Sequence, residues 1–356
     1  PLLASLERHA RADLKVKPYT VTDKTVVPPS GDKHDYMSQA PYFWPDPKTP
    51  TGLPYIRRDG ERNPEIKRIP NHGDILTMPE KVKTLALAYY FTGNETYAAK
   101  AAQLLRVWFL DPATRMNPNF EFAQAVPGVN NGRGTGLIES RALVDVVDGV
   151  GLLAGSKSWT AADDAGLKQW FGQFLQWMQT SKNGRAEAAA KNNHGTYYDI
   201  QVVSYALFLG QTNYARQVLL DARQKRIAVQ IEPDGRQPLE LVRTKAWSYS
   251  VANLTGLMSL ATLGDDVGVD LWNYQTVDGR GIRKALDYLV PFALGQKKWP
   301  YQQLGKWPPQ ALDPLMTQAA IHYHDPAYAR ELPRRSRSES DLLLEPSSWD
   351  HSDNGD

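Results

Sequence analysis

One pattern recurs along this chain and limits what it can fold into. Ala88-Tyr89-Tyr90-Phe91-Thr92-Gly93-Asn94-Glu95-Thr96-Tyr97-Ala98 is echoed by Tyr205-Ala206-Leu207-Phe208-Leu209-Gly210-Gln211-Thr212-Asn213-Tyr214-Ala215, and more weakly by His322-Tyr323-His324-Asp325-Pro326-Ala327-Tyr328-Ala329. Each copy reads as a helix, a tight turn and a second helix whose first turn carries a Tyr-Ala pair. Hairpins of this kind close a core only by packing neighbour on neighbour. The copies lie too far apart for a regular solenoid, so the spacing predicts a bent array or toroid of irregular helical hairpins.

The segments between the copies agree. Leu167, Trp170, Phe171, Phe174, Leu175 and Met178 recur at helical spacing over 160–180, with Thr160 and Asp163 placed as a capping pair. Leu143, Val147, Val150 and Leu153 do the same for the preceding helix, and residues 1–18 suit a short amphipathic helix with an extended lead. Strand-like alternation is scarce: Ile227–Ile231 is short, ends at Pro233-Asp234-Gly235 and reads as the finish of a helix. Prolines crowd the stretch 35–71 and forbid regular helix there. A loop that long is uncommon unless it is functional, so it is expected to form a lid or cleft wall. The polar, glycine-rich segment 124–134 is expected to form a second cleft loop. The organisation predicted is one helical domain over 1–335 and a loosely ordered polar tail over 336–356.

Composition removes several classes of function. A formal net charge of +2 does not advertise nucleic acid, and no apolar run approaches the length of a membrane span. The lack of Cys excludes disulfide stapling and thiol catalysis. Seventeen Tyr and ten Trp against nine Phe favour flat faces with polar edges, which suit sugar-like ligands as well as a large core. The chain begins at Pro1 and is read as processed or trimmed, a removed secretory signal being one source.

The chemistry concentrates in Lys191-Asn192-Asn193-His194-Gly195 and, some fifty residues on, in Arg243 and Tyr249. An amide, an imidazole, a guanidinium and a phenol can bind a carboxylate and move a proton beside it. The first group is expected at the start of a helix, an end that attracts anions. Arg243 and Tyr249, six residues apart, fall on different faces of a continuous helix, so a bend or a fresh helix start between them is needed to aim both at one ligand.

Asn192-Asn193-His194-Gly195, Pro238-Leu239-Glu240-Leu241-x-Arg243 with Ser248-Tyr249, and Tyr42-Phe43-Trp44-Pro45-Asp46 together resemble the alginate lyase family of polysaccharide lyases, over roughly residues 30–330. The resemblance is nearest to the family's periplasmic, broad-specificity polyuronate lyases. It implies an all-α fold, an incomplete α/α toroid with a deep cleft, and cleavage of uronate polymers by β-elimination without cofactor or metal. By the same resemblance Asn193, His194, Arg243 and Tyr249 form the catalytic set. Removing the C5 proton builds a second negative charge beside the C6 carboxylate, so Asn193 and Arg243 are expected to donate hydrogen bonds there. Tyr249 is expected to protonate the departing O4 and, where H5 and O4 share a side of the ring, to take the proton as well, its phenol acidified by Arg243 and Lys245. His194 either accepts the C5 proton or holds the carboxylate and Tyr249 in place.

An anionic polymer also needs cations at its carboxylates and aromatic faces against its rings. Lys191, Asn192, Tyr36, Tyr42, Trp44, Tyr55, Arg57, Arg58, Gln124 and Arg133 are the candidate substrate-binding residues, with Arg68, Arg115 and Arg141 as further cationic candidates. The partner expected is therefore a uronate polysaccharide (mannuronate or alginate, with glucuronate polymers and hyaluronan), met by a periplasmic or secreted monomer that binds neither nucleic acid nor membrane. A hydrolase would need a pair of carboxylates flanking the bond, and no convincing pair stands out. A noncatalytic polyuronate-binding protein would keep the groove without a poised proton-transfer residue. His322 and His324 beside Asp325 have a spacing that could bind a metal, but no strong ligand set surrounds them.

Overall fold

The computed structural model describes residues 2–330; the tail expected at 336–356 lies outside them. Helices α1 (Leu2–Asp13), α2 (Asn71–Thr92), α3 (Glu95–Leu105), α4 (Val144–Leu152), α5 (Ala161–Thr180), α6 (Lys182–Ala188) and α7 (Asn193–Phe208) are followed by α8 (Thr212–Ala222), the short α9 (Ala228–Gln230) and α10 (Pro238–Leu241), then α11 (Ala246–Asp265), α12 (Ile282–Ala293), α13 (Asp313–His322) and α14 (Ala327–Arg330). Four short strands make two separate pairs: β1 (Met37–Gln39) runs parallel to β4 (Phe122–Ala125), and β2 (Phe43–Trp44) runs antiparallel to β3 (Ile56–Arg57). The fold is all-α, an incomplete α/α toroid of packed hairpins.

The three echoes are three hairpins. α2 packs on α3, α7 on α8 and α13 on α14. Gly93 and Gly210 occupy the left-handed turn positions of the first two at φ 66° and 74°, and His324 takes the equivalent place in the third at φ 49°. The likeness runs further than the residues suggested. The second helix of each of the first two hairpins ends in a π-helical turn, Arg106–Leu110 and Arg223–Ile227, at the same distance beyond its glycine. That turn and α9 account for the 227–231 segment, which does finish a helix.

Helix ends are set by local chemistry. Thr160 and Asp163 form the reciprocal capping box at the start of α5, and Asn94, Ser181 and Asn192 cap α3, α6 and α7 through their side-chain oxygens. α12 buries one stripe, Ile282, Ala285, Leu286, Leu289 and Phe292, as an outer helix should. α7 and α11 are buried on nearly every side and pack on each other. Between them runs a buried amide network: Asn253 donates to Gln230 and Gln237, and Gln237 donates to the Ser250 carbonyl. One hydrophobic cluster extends from Leu6 in α1 to Tyr328 in α14.

No helix among the described residues is long and apolar enough to cross a membrane. Gly210 has no neighbouring atom within 4 Å of where a Cβ would stand, so its only requirement is conformational. Gly210→Ala is expected to lower stability by about 1–2 kcal/mol, the cost of a left-handed L-residue, as read from denaturant unfolding.

Candidate active site

A cavity of about 790 Å³ opens where the 41–62 loop, the 124–141 segment, the start of α7 and the start of α11 converge. Each wall follows from its local geometry. In the β2–β3 pair Phe43 stands opposite Arg57, and both face the cavity, while Trp44 and Ile56 lie on the other pleat face. Residues Gly134–Leu143 wind as a 3₁₀ helix, and its three-residue period brings Thr135, Ile138 and Arg141 to the cavity together. On the third wall α10 ends at Leu241 and α11 begins at Ala246. This is the fresh helix start the spacing of Arg243 and Tyr249 required, and both residues line the cavity with Lys245 and Ser248 between them.

His194 sits in the first turn of α7. Its Nδ1 lies 2.6 Å from Oε1 of Glu187, a carboxylate 1% exposed. A carboxylate oxygen only accepts, so Nδ1 carries a proton and Nε2 is the basic nitrogen of the neutral ring. The segment before it is pinned by buried Arg226, which donates to the carbonyls of Ala188 and Ala190 while its fork engages Asp199. Gly195 fits beneath this guanidinium because it has no Cβ to meet Arg226 and the Ala190 carbonyl.

Asn193 departs from the role expected of it. It is 3% exposed, and its backbone N–H and Nδ2 both donate to buried Glu240, at 2.7 Å and 2.8–3.0 Å. The amide donor therefore faces Glu240, joining the start of α7 to α10. Burial raises the Glu240 carboxyl above its ordinary value, and the hydrogen bonds from Asn193 work against that rise.

Arg243 is held by Asp59, which arrives from the loop after β3. Nε and Nη2 grip the carboxylate at 2.7–3.2 Å, and Thr244 adds its N–H and hydroxyl. Gly60 permits this approach, since a Cβ there would stand 2.5 Å from the Thr244 hydroxyl oxygen. Burial works against the charge on Asp59, but hydrogen bonds from Arg243, Thr244 and Arg57 prevail and hold its carboxyl far below the usual range. Arg243 in turn lies 3.8 Å above the Tyr249 ring. The Tyr249 hydroxyl donates to that of Tyr42 at 2.9 Å. Its phenol is not acidified as expected: burial and the Tyr42 hydroxyl push it well above the ordinary tyrosine value, outweighing Arg243.

Of the candidate binding residues, Tyr42, Arg57, Gln124, Arg133, Lys191 and Asn192 line the cavity. Gln124 adopts φ 50° and accepts from Arg133 at 2.8 Å, and the Arg133 guanidinium lies 4.9 Å from the centre of the Phe43 ring. Four others do not line it. Tyr36 is fully buried, stacked on Phe120, and donates to Glu139. Trp44 and Arg58 share the opposite face of the β2–β3 pair, where the guanidinium lies 5.3 Å from the indole centre. The Tyr55 hydroxyl is spent on Glu65. Sequence reasoning missed the parts played by Glu187, Asp59 and Glu240, which hold His194, Arg243 and Asn193, and the places of Arg62 and Glu139 on the cavity wall; His72, read as part of a cleft-wall turn, and Lys245, read as a neighbour of Tyr249, both line the cavity. Glu187 left one signal, as the only acid in the Ala-rich run before His194; Asp59 left none. His322 stacks on Trp272 at 4.0 Å, and among the described residues no three His, Asp or Glu side chains are grouped to hold a metal ion.

Comparison with known proteins settles the family. The alginate lyase family model matches residues 20–299. The chain belongs to the alginate lyase family. An alginate lyase from Bacteroides ovatus is 41% identical, with 97% of this chain and 93% of that one covered and a TM-score of 0.93. Alginate lyase A1-III complexed with a tetrasaccharide is 15% identical over 93% and 89% of the two chains, with a TM-score of 0.60, a likeness of fold alone. No curated protein sequence matches. With its family established, the chain is a polysaccharide lyase that acts on uronate polymers by β-elimination.

If Glu187 fixes the His194 tautomer, Glu187→Gln removes that preference without removing bulk. Turnover is expected to fall about 10²-fold or more, with ring-nitrogen NMR showing loss of the Nδ1–H form while circular dichroism stays native. An unchanged tautomer would assign Glu187 a packing role only.

Proposed function

We propose that His194 takes the C5 proton of a bound uronate and Tyr249 delivers a proton to the departing O4. The proton leaves C5 for Nε2 of His194, the C4–O4 bond breaks as C4 and C5 become doubly bonded, and O4 leaves carrying the Tyr249 proton. The observation that carries this division is the opposite preparation of the two groups. Glu187 holds the proton of His194 on Nδ1, which suits Nε2 to accept. Tyr249 has its phenol held above the ordinary value and so keeps its proton to give. Arg243, with one edge on Asp59 and its face on Tyr249, offsets charge at the carboxylate and the phenol together. Asn193 serves by fixing the helix start through Glu240.

This division suits linkages in which H5 and O4 lie on opposite faces of the ring, as in guluronate. Where they share a face, as in mannuronate and glucuronate, Tyr249 must first lose its proton and then serve in both roles.

The substrate proposed is alginate, the polymer named for the Bacteroides ovatus relative, with mannuronate-rich, glucuronate and hyaluronan chains as further members of the class. The charge of the cavity supports a polyanion. Arg57, Arg62, Arg133, Arg141, Lys191, Arg243 and Lys245 line it against a single carboxylate, Glu139, although the whole chain carries only +2. Such focusing gathers an acidic polymer into the cleft. We further propose that the enzyme works as a monomer in the periplasm or outside the cell, where polysaccharides of this size are met, and binds no nucleic acid.

Incubation with guluronate-rich, mannuronate-rich and glucuronate polymers tests the reaction. Ultraviolet absorbance from 4,5-unsaturated ends is expected; new reducing ends without it would mean hydrolysis. Tyr249→Phe should lower turnover by about 10²–10⁴-fold while leaving oligouronate binding in place. The pH profile tests the roles. A phenol acting as acid must be protonated, and its elevated value keeps it so beyond pH ~10, so cleavage of guluronate-rich chains should show no alkaline decline from Tyr249 below that point. A phenolate base predicts the reverse, a rate climbing about tenfold per pH unit through neutrality, and this rise is expected only where H5 and O4 share a face.

A further inference from the structure

A second histidine–carboxylate pair lines the same cavity and takes no part in the scheme above. Arg62, exposed at the cavity wall, has Nη2 2.8 Å from Nε2 of His72. A guanidinium only donates, so Nε2 is the acceptor and the His72 proton sits on Nδ1. That nitrogen lies 3.2 Å from Oε1 of Glu139, close by but not aligned as a hydrogen bond. Glu139 is 4% exposed, and its other oxygen accepts from the hydroxyls of Tyr36 and Ser38 at 2.7 and 2.6 Å. The buried carboxylate thus stands against the imidazole, and the imidazole in turn accepts from the guanidinium.

Other cations on the wall are spent differently. Arg57 and Arg243 share one carboxylate partner, Asp59. Among the described residues no carboxylate pairs with Arg62, whose fork keeps an edge that His72 does not use. A neutral acceptor therefore orients this arginine and leaves its charge available. Holding a long side chain in place beforehand also removes part of the entropy cost of binding. No hydrogen bond links it to His194, Arg243 or Tyr249, and it arrives on the segment leading into α2.

We propose that Arg62 binds the carboxylate of a uronate unit neighbouring the one being cleaved, with His72 and Glu139 as positioning residues. The proposal rests on the polyuronate reading of the cavity. It makes this wall a determinant of specificity for consecutive uronates.

The test compares a tetrauronate with the same tetrasaccharide carboxyl-reduced to neutral sugar, by calorimetry on Tyr249→Phe protein. Arg62→Ala should weaken the tetrauronate by about tenfold or more and leave the neutral oligosaccharide within about twofold. Equal weakening of both ligands, or of neither, overturns the proposal. His72→Ala should reproduce part of the loss. His72→Gln should restore it, because an amide can accept from Arg62 and donate towards Glu139; no rescue would show that His72 acts only by packing. With Tyr249 intact, Arg62→Ala should raise KM by about tenfold with kcat falling less than about threefold, whereas a collapse of kcat would place Arg62 at the reacting carboxylate and overturn the neighbouring-unit assignment. Failure of the wild type to form unsaturated ends would sink the lyase chemistry alone, since the binding comparison is read without turnover.

Discussion

The carboxylate of Glu240 is the joint on which the site depends. It is 1% exposed and lies at the end of α10, yet its partners are the backbone and side chain of Asn193 at the start of α7. Hydrogen bonds to a charged group contribute about 1.5–3 kcal/mol each, and an abandoned buried charge costs several more. The two helix starts are therefore locked in one relative position. Because His194 follows Asn193, and Arg243 and Tyr249 follow Glu240, that lock sets the proposed base against the proposed acid. Arg226 does the same on the other side, tying the chain before His194 to Asp199 within α7. Neither Glu240 nor Asp199 touches the chemistry, but the relative placement of the groups that do depends on both.

A second constraint is electrostatic. Gathering seven cations around one cavity would be unfavourable without partners, and the structure relieves the repulsion selectively. Asp59 engages Arg57, Arg243 and Thr244 at once, so one carboxylate steadies the loop, the arginine and the start of α11. Arg133 and Arg141 instead face the rings of Phe43 and Tyr197. Aromatic faces attract a cation without cancelling its charge. The cleft remains positive while the chain as a whole stays near neutral, which is what an enzyme for acidic polymers needs in order to bind its substrate without binding every polyanion.

What could be read from the residues alone divides along sequence distance. The hairpins, the capping box at Thr160 and the helix break between Arg243 and Tyr249 are local, and local chemistry makes them legible. His194 and Tyr249 were singled out because the motifs around them resemble those of the family, and the fold brings both to one cavity. Glu240 and Asp59 were not, since a carboxylate that pairs across 47 or 184 residues looks like any surface acid until the chain is folded. Tyr36 and Trp44 show the converse error. An aromatic residue in a loop suits either core or cleft, and the outcome turned on which pleat face it took: Phe43, passed over, faces the cavity, and its neighbour Trp44 does not. The π-helical turns after α3 and α8 were likewise invisible, because the residues forming them share no motif.

The pairing of Tyr249 with Tyr42 gives the resting site its last feature. A phenol can give its proton only to an acceptor in line with it, and in the free enzyme that acceptor is the Tyr42 hydroxyl. For Tyr249 to protonate a leaving O4, the glycosidic oxygen must take the place Tyr42 now holds. Tyr42 belongs to the 41–62 loop, whose position is fixed through Asp59 to Arg243, so Tyr42 and Arg243 are carried by one connected unit. Substrate that displaces Tyr42 from Tyr249 exchanges one neutral hydrogen bond for another, at little net cost, while bringing its own carboxylate among the cations. The raised phenol is then an advantage: it keeps the proton in place until the leaving oxygen gathers the negative charge that draws it across.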